Sequence, residues 1–160
     1  MGKEIEFLKS AICQAFPNLK TDADFKITSP ETPNYNCIAW AYSHEDRQMW
    51  PGGTECKTFD GFHFWPDDVE DSDEILAFIK VFQLKGYEIC DSWQHEESFQ
   101  KIALYVKRGT TECTHAAREL RSGKWTSKLG DGNDIQHGTP FGVESEIYGV
   151  VYCFMKRLFS

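Results

Sequence analysis

The sequence has no long apolar run. Nothing in its 160 residues approaches the roughly 18 consecutive apolar positions of a membrane-spanning helix, so no membrane partner is expected. It is also short of positive charge. With 17 Lys and Arg against 25 Asp and Glu, its net charge is −8, and non-specific binding of nucleic acid has no electrostatic support. The start, Met1-Gly2-Lys3-Glu4-Ile5-Glu6, lacks the apolar core of an export signal. Gly2 follows Met1, but Glu6 breaks the myristoylation pattern. Cysteines stand at 13, 37, 56, 90, 113 and 153, and no two form a Cys-x-x-Cys pair. Without an export signal they are expected as reduced thiols in a cytoplasmic protein. Internal repeats and low-complexity tracts are absent as well.

What is present suits a packed globule. Hydrophobic residues make up 41% and aromatic residues 14%, which excludes wholesale disorder and leads to one domain over 1–160. Ile5, Leu8, Ile12, Cys13 and Phe16 recur at helical spacing until Pro17, so residues 3–16 are predicted helical. A short helix is predicted over 37–44, with Asn36 as its N-cap. A third, over 73–85, buries Ile75, Phe78, Ile79, Phe82 and Leu84 and ends at Gly86. Between the last two lies an irregular aromatic segment, 45–72, with Trp50, Phe59, Phe62, Phe64 and Trp65.

The second half alternates instead. Strands are predicted over 101–106, 113–120, 124–129 and 147–155. In the first, Ile102, Leu104 and Val106 share a face; in the second, Cys113, His115, Ala117 and Glu119 do. Gly130-Asp131-Gly132-Asn133 ends the third. Helices first and an antiparallel sheet after give an α+β class.

One cysteine and one histidine carry the chemistry. Cys37 sits at the mouth of a short helix, where the helix dipole favours a thiolate. His115 sits on a strand, where an imidazole can take up the proton and return it to a leaving group. A third polar group would orient the imidazole, and Ser127, Asp134 and His137 are the candidates. Cys90, Cys113 and His115 match no closed zinc pattern, so no metal and no cofactor are expected. Arg118, Arg121, Lys124 and Lys128 make a small basic cluster on one hairpin, read as a solvated face.

With these residues in view, the chain resembles the NlpC-type cell-wall peptidases, a papain-like family. Asn36-Cys37 is similar to their nucleophile element. Lys101-Ile102-Ala103-Leu104-Tyr105 is similar to their His-bearing strand, and Thr114-His115-Ala116 to the strand that follows. The resemblance implies a papain-like α+β domain with N-terminal helices packed on a C-terminal antiparallel sheet. It puts Lys101 where those enzymes have the base, and His115 where they have the orienting residue. The chain as a whole also resembles an uncharacterised bacterial family. The shared runs are Ile27-Thr28-Ser29-Pro30, Tyr35 to Ala41, Lys101 to Tyr105, Thr114 to Arg118 and Gly123 to Gly130.

Two functions follow. One is a thiol hydrolase of amide bonds (peptidase, amidase or deamidase), with a peptide or amide substrate. Cys37 attacks, His115 shuttles the proton, and Ser127, Asp134 or His137 orients it. The other is a papain-like scaffold without catalysis, binding a protein or small ligand through the aromatic loop at 50–66.

Overall fold

The computed structural model describes residues 2–43, 45, 48–51, 63–66, 68–129 and 132–159, with the side chains of residues 2, 63 and 64 set aside. Phe59, Phe62, Cys56 and the expected turn residues Gly130 and Asp131 lie outside the described residues.

Among the described residues, three α-helices and nine strands succeed one another: α1 (Gly2–Ala15), β1 (Lys26–Ser29), α2 (Cys37–Ala41), β2 (Gln48–Met49), β3 (His63–Phe64), α3 (Ile75–Leu84), β4 (Glu88–Cys90), β5 (Phe99–Val106), β6 (Cys113–Glu119), β7 (Trp125–Lys128), β8 (Asp134–His137) and β9 (Val150–Leu158). Seven strands form one sheet in the order β1-β8-β7-β6-β5-β9-β4, and every neighbouring pair in it is antiparallel. β2 and β3 form a separate parallel pair.

The sheet divides two apolar clusters. Alternation sends Ile102, Leu104 and Val106 of β5 to one face, where Ile38, Ala39 and Ala41 of α2 and Ile75, Phe78, Ile79 and Phe82 of α3 pack on them. Ala103 and Tyr105 point the other way, toward Ala117, Trp125, Ile135, Ile12 of α1 and Phe16. We call these the α2 face and the α1 face. The helical stripes explain the packing. Ile12 of α1 and Phe16, which follows it, are buried while Ile5 and Phe7 remain exposed. On α3, Leu84 is exposed although its spacing suggested burial.

The papain-like expectation is overturned. Instead of N-terminal helices stacked on a sheet drawn from the second half, the chain forms a seven-stranded sheet that also takes up β1 and β4, with short helices on both faces. Four strands of the sheet, β1, β4, β7 and β8, have only three or four residues, and so short a run shows little alternation; of these only β7 was expected.

Both flanks of β5 slip register beside Tyr105. On the β6 side, Tyr105 faces His115 and Val106 faces Cys113, so Thr114 is extra. On the β9 side, Leu104 faces Cys153 and Tyr105 faces Val151, so Tyr152 is extra. Each is a β-bulge, which bends its strand and breaks strict alternation. Cys113 therefore packs in the α2-face cluster with Ala116, not beside His115.

Candidate functional site

Asn36 builds the entry to α2. Its side chain accepts from the Ala39 amide at 3.1 Å and from the Met49 amide at 3.0 Å, and it donates to the Met49 carbonyl at 2.8 Å. Cys37 is thus fixed as the first residue of a five-residue helix. It is buried in the α2-face cluster. Burial pushes the thiol up to about 11, against the opposing pull of the Ala116, Ile38 and Cys37 backbone amides and of the Lys128 charge. Desolvation therefore outweighs whatever the helix start contributes to the thiolate.

His115 is fully buried on the α1 face. Its ring stacks on Tyr148 at 3.9 Å with planes 7° apart, and Tyr105 leans on it at 5.1 Å. Its Nε2 lies 3.0 Å from Ser127 Oγ, and Ser127 Oγ lies 2.8 Å from His137 Nε2. His137 Nδ1 lies 2.7 Å from the Thr139 carbonyl. A carbonyl can only accept, and that fixes every proton along the row. His137 donates from Nδ1 and accepts at Nε2. Ser127 donates to His137 and accepts from His115 Nε2–H. His115 Nδ1 is then bare, and it has no partner. Burial pushes His137 down to about 4, while the Thr139 carbonyl and Asp22 oppose the shift. Burial, with the neighbouring His137, also holds His115 well below its ordinary range. Both rings are neutral at pH 7.

Of the residues read as catalytic, then, the structure brings together His115, Ser127 and His137. It does not add Cys37 to them. His115 is paired with Tyr105 across β5, on the α1 face, whereas Cys37 packs against Ala116, Ile102 and Leu104 on the α2 face. No hydrogen bond joins thiol and imidazole. Asp134 lies on the Cys37 side and accepts from the Tyr35 hydroxyl at 2.7 Å. Burial and the Asp134 carboxylate together push Tyr35 up to about 12. Lys101 is held by the loop before β5. Fully buried on the α1 face, it donates to the Ser92 and Gln94 carbonyls at 2.7 and 2.8 Å and pairs with Glu96 at 2.7 Å, pinning the loop before β5. The suggested zinc set is scattered, and among the described residues no group of three or more His, Cys, Asp or Glu could hold a metal ion. The described helices include none long and apolar enough to cross a membrane.

The ends of the aromatic segment are core rather than surface. Trp65 is fully buried, donates to the Glu70 carbonyl at 2.9 Å and meets Phe78 edge-on, as Trp50 also does. The middle of the 50–66 loop lies outside the described residues.

Sequence reading missed a group of cations. The basic hairpin does not act as a unit: Arg121 lies over Phe159, Lys124 pairs with Asp24, and Arg118 turns to the α2 face. There Arg118 joins Lys85, which follows α3, and Arg157 of β9. Arg118 stacks on Trp40 at 3.9 Å and donates to Ser43 Oγ at 2.9 Å. Arg157 lies 5.2 Å over Tyr87 and 3.4 Å from Gln100 Oε1. Lys85 donates to the Tyr42 carbonyl and lies 4.4 Å from the Tyr42 ring. No sequence signal links the three, because they come from three separate elements.

A family model, that of the domain of unknown function DUF7689, matches residues 26–156 of the chain. No curated protein and no solved structure matches it.

Proposed function

Because the chain belongs to the DUF7689 family, whose description carries no activity, we propose from geometry that it is a ligand-binding domain without thiol catalysis. One observation supports this reading: Cys37 packs in the α2-face cluster, His115 lies with Tyr105 on the α1 face, and no hydrogen bond joins thiol and imidazole. A nucleophile and its base must lie within hydrogen-bond reach, or be bridged by one water. Here His115 Nε2 is engaged by Ser127 and its Nδ1 has no partner, so neither ring nitrogen is bonded to the thiol. The charged residues that remain half-buried on the α2 face are the part of the molecule suited to holding a ligand. A reducing compartment such as the cytoplasm suits the reading, since the five described cysteines are all free thiols.

Alkylation tests it. The thiol is shifted from 9.0 to about 11, so at neutral pH its thiolate fraction is reduced about 100-fold, and burial slows access further. Iodoacetamide at pH 7.5, followed by mass spectrometry, should label the half-exposed Cys13 well before Cys37. His115→Ala should leave the Cys37 rate unchanged. Rapid labelling of Cys37 that disappears in His115→Ala would overturn the absence of thiol catalysis and restore the hydrolase.

A further inference from the structure

The three cations on the α2 face share one end of the sheet. Arg118 stands opposite Ile102 and Arg157 opposite Gln100, so they flank β5 from either side and point to the same face. Lys85 and Arg118 grip consecutive residues, Tyr42 and Ser43, at the end of α2. Phe82 bridges the rings, meeting Tyr42 at 5.5 Å and Tyr87 at 5.6 Å. All three side chains are half-buried, so a ligand can reach them from solvent.

Their partners are all neutral: a carbonyl, a hydroxyl, an amide and three ring faces. Among the described residues, neither arginine nor Lys85 forms an ion pair. Elsewhere this acidic chain does pair its lysines, Lys101 and Lys156 with Glu96 and Lys124 with Asp24. The contrast is sharpest at the guanidinium groups. Arg118 Nε and Arg157 Nε are both buried without an acceptor. A buried donor left unpaired is unfavourable, and more so when it is charged. Like charges in a half-buried site also repel. Burial lowers the Lys85 pKa, and Arg157 and Arg118 lower it further. Glu45 and Asp134 act on Arg118 at a distance only.

A structural role accounts for part of this. Lys85 caps the carbonyl end of α2, where a cation is favoured. Capping does not account for Arg157, which meets Gln100 and the ring and hydroxyl of Tyr87. Nor does it account for two unpaired Nε donors. An oxyanion against the exposed ends of the three side chains would relieve the repulsion. Two planar guanidinium forks and one ammonium suit a tetrahedral dianion better than a single carboxylate.

We propose that Arg118, Arg157 and Lys85 form a binding site for a phosphate-type dianion, either free phosphate or the phosphate group of a larger ligand. The proposal rests on the reading of the chain as a binding domain and gives it a ligand class. The rings of Trp40, Tyr42 and Tyr87 around the cations favour a phosphomonoester with an apolar or aromatic body.

Calorimetric titration of the whole chain at pH 7.5 in low salt tests it, with inorganic phosphate, phenyl phosphate and acetate as probes. Both phosphates should bind saturably, acetate at least tenfold more weakly, and added NaCl should weaken all binding. Tighter binding of phenyl phosphate identifies a phosphate group on a larger ligand as the natural source; equal binding identifies free phosphate. Arg157→Gln and Lys85→Gln should each weaken phosphate binding at least tenfold. Should Arg157→Gln fail to fold, Lys85→Gln decides. No saturable phosphate binding by the wild type, or unchanged binding in a folded variant, overturns the site. Cys37 labelling reads the absence of thiol catalysis separately, so the two can fail independently.

Discussion

Gly149→Ala should abolish or nearly abolish the native fold. Gly149 has φ +76°, in the left-handed region where any Cβ is strained. It also exchanges two backbone hydrogen bonds with Ser145, of 2.8 and 3.0 Å, which close the turn that launches β9. A Cβ built on it would lie 1.9 Å from the Val106 carbonyl oxygen and 2.8 Å from its carbon. Those are backbone atoms of the sheet's long strand β5, and they have no rotamer by which to retreat. Relief would require β9 to leave β5, the longest strand pairing in the molecule. A loss above about 4 kcal/mol is expected, in the range reserved for gross steric or strain defects. At about 2–4 °C per kcal/mol for a chain of this size, the melting point should fall by about 10 °C or more. Gly109→Ala is the control. Its φ is similar, +79°, but nothing lies within 4 Å of the added Cβ. It should lose only about 1–2 kcal/mol, the strain of the conformation alone. Equal melting points for the two variants would show that the close approach to Val106 is not real.

The second large effect is on pH. His137 titrates at about 4 in the folded chain and near 6.5 once unfolded, and His115 is displaced in the same direction. The unfolded state therefore binds protons first as the pH falls. The stability that comes from keeping these rings neutral is complete above about pH 6.5 and drains away down to about pH 4. For His137 alone the loss is about 2 kcal/mol between pH 7 and 5, and about 3 kcal/mol by pH 4. Urea unfolding from pH 7 to 4.5 should show the midpoint falling across this range, above the region where ordinary carboxylates titrate. His137→Asn should flatten the slope markedly. Ser127→Ala should act at pH 7 already, by about 2–4 kcal/mol, because it strips the acceptor from His115 Nε2 and the donor from His137 Nε2 at once. A midpoint that does not move between pH 7 and 5 would contradict the buried neutral row.

These residues also show what could be read from the chain before its structure. The alternation of Ile102, Leu104 and Val106 and the spacing of Ile75, Phe78, Ile79 and Phe82 located β5 and α3, since each pattern repeats several times in one element. Strand proximity makes Ser127 a candidate companion of His115, and chemistry makes Asp134 and His137 candidates; Ser127 and His137 lie in one row with His115, whereas Asp134 pairs with Tyr35. Which side of the sheet each helix would take was not written in either pattern. An apolar stripe states that a helix packs, not against which face. The opposition of Cys37 and His115 was lost there. The bulges beside Tyr105 were hidden for a related reason. Cys113, His115 and Ala117 alternate correctly as letters, and nothing in them betrays an unpaired Thr114. The cations were missed because Lys85, Arg118 and Arg157 meet only after α3, β6 and β9 have found their places.

The paired slips beside Tyr105 give the sheet something like a reading frame. Thr114 and Tyr152 are the two positions at which the frame shifts, and they shift it on both neighbours of β5 at one level. Length changes along these strands are accordingly not equivalent. Losing Ala116 would turn every residue of β6 on one side of the gap inside out, sending His115 toward α2 and Cys113 toward α1. Losing Thr114 would turn nothing over, because Cys113 and His115 already occupy the sides that uninterrupted pairing with Val106 and Tyr105 would give them. The strand is tolerant of indels at one point and intolerant at its neighbours. Among relatives of this chain, natural gaps in β6 belong at that point.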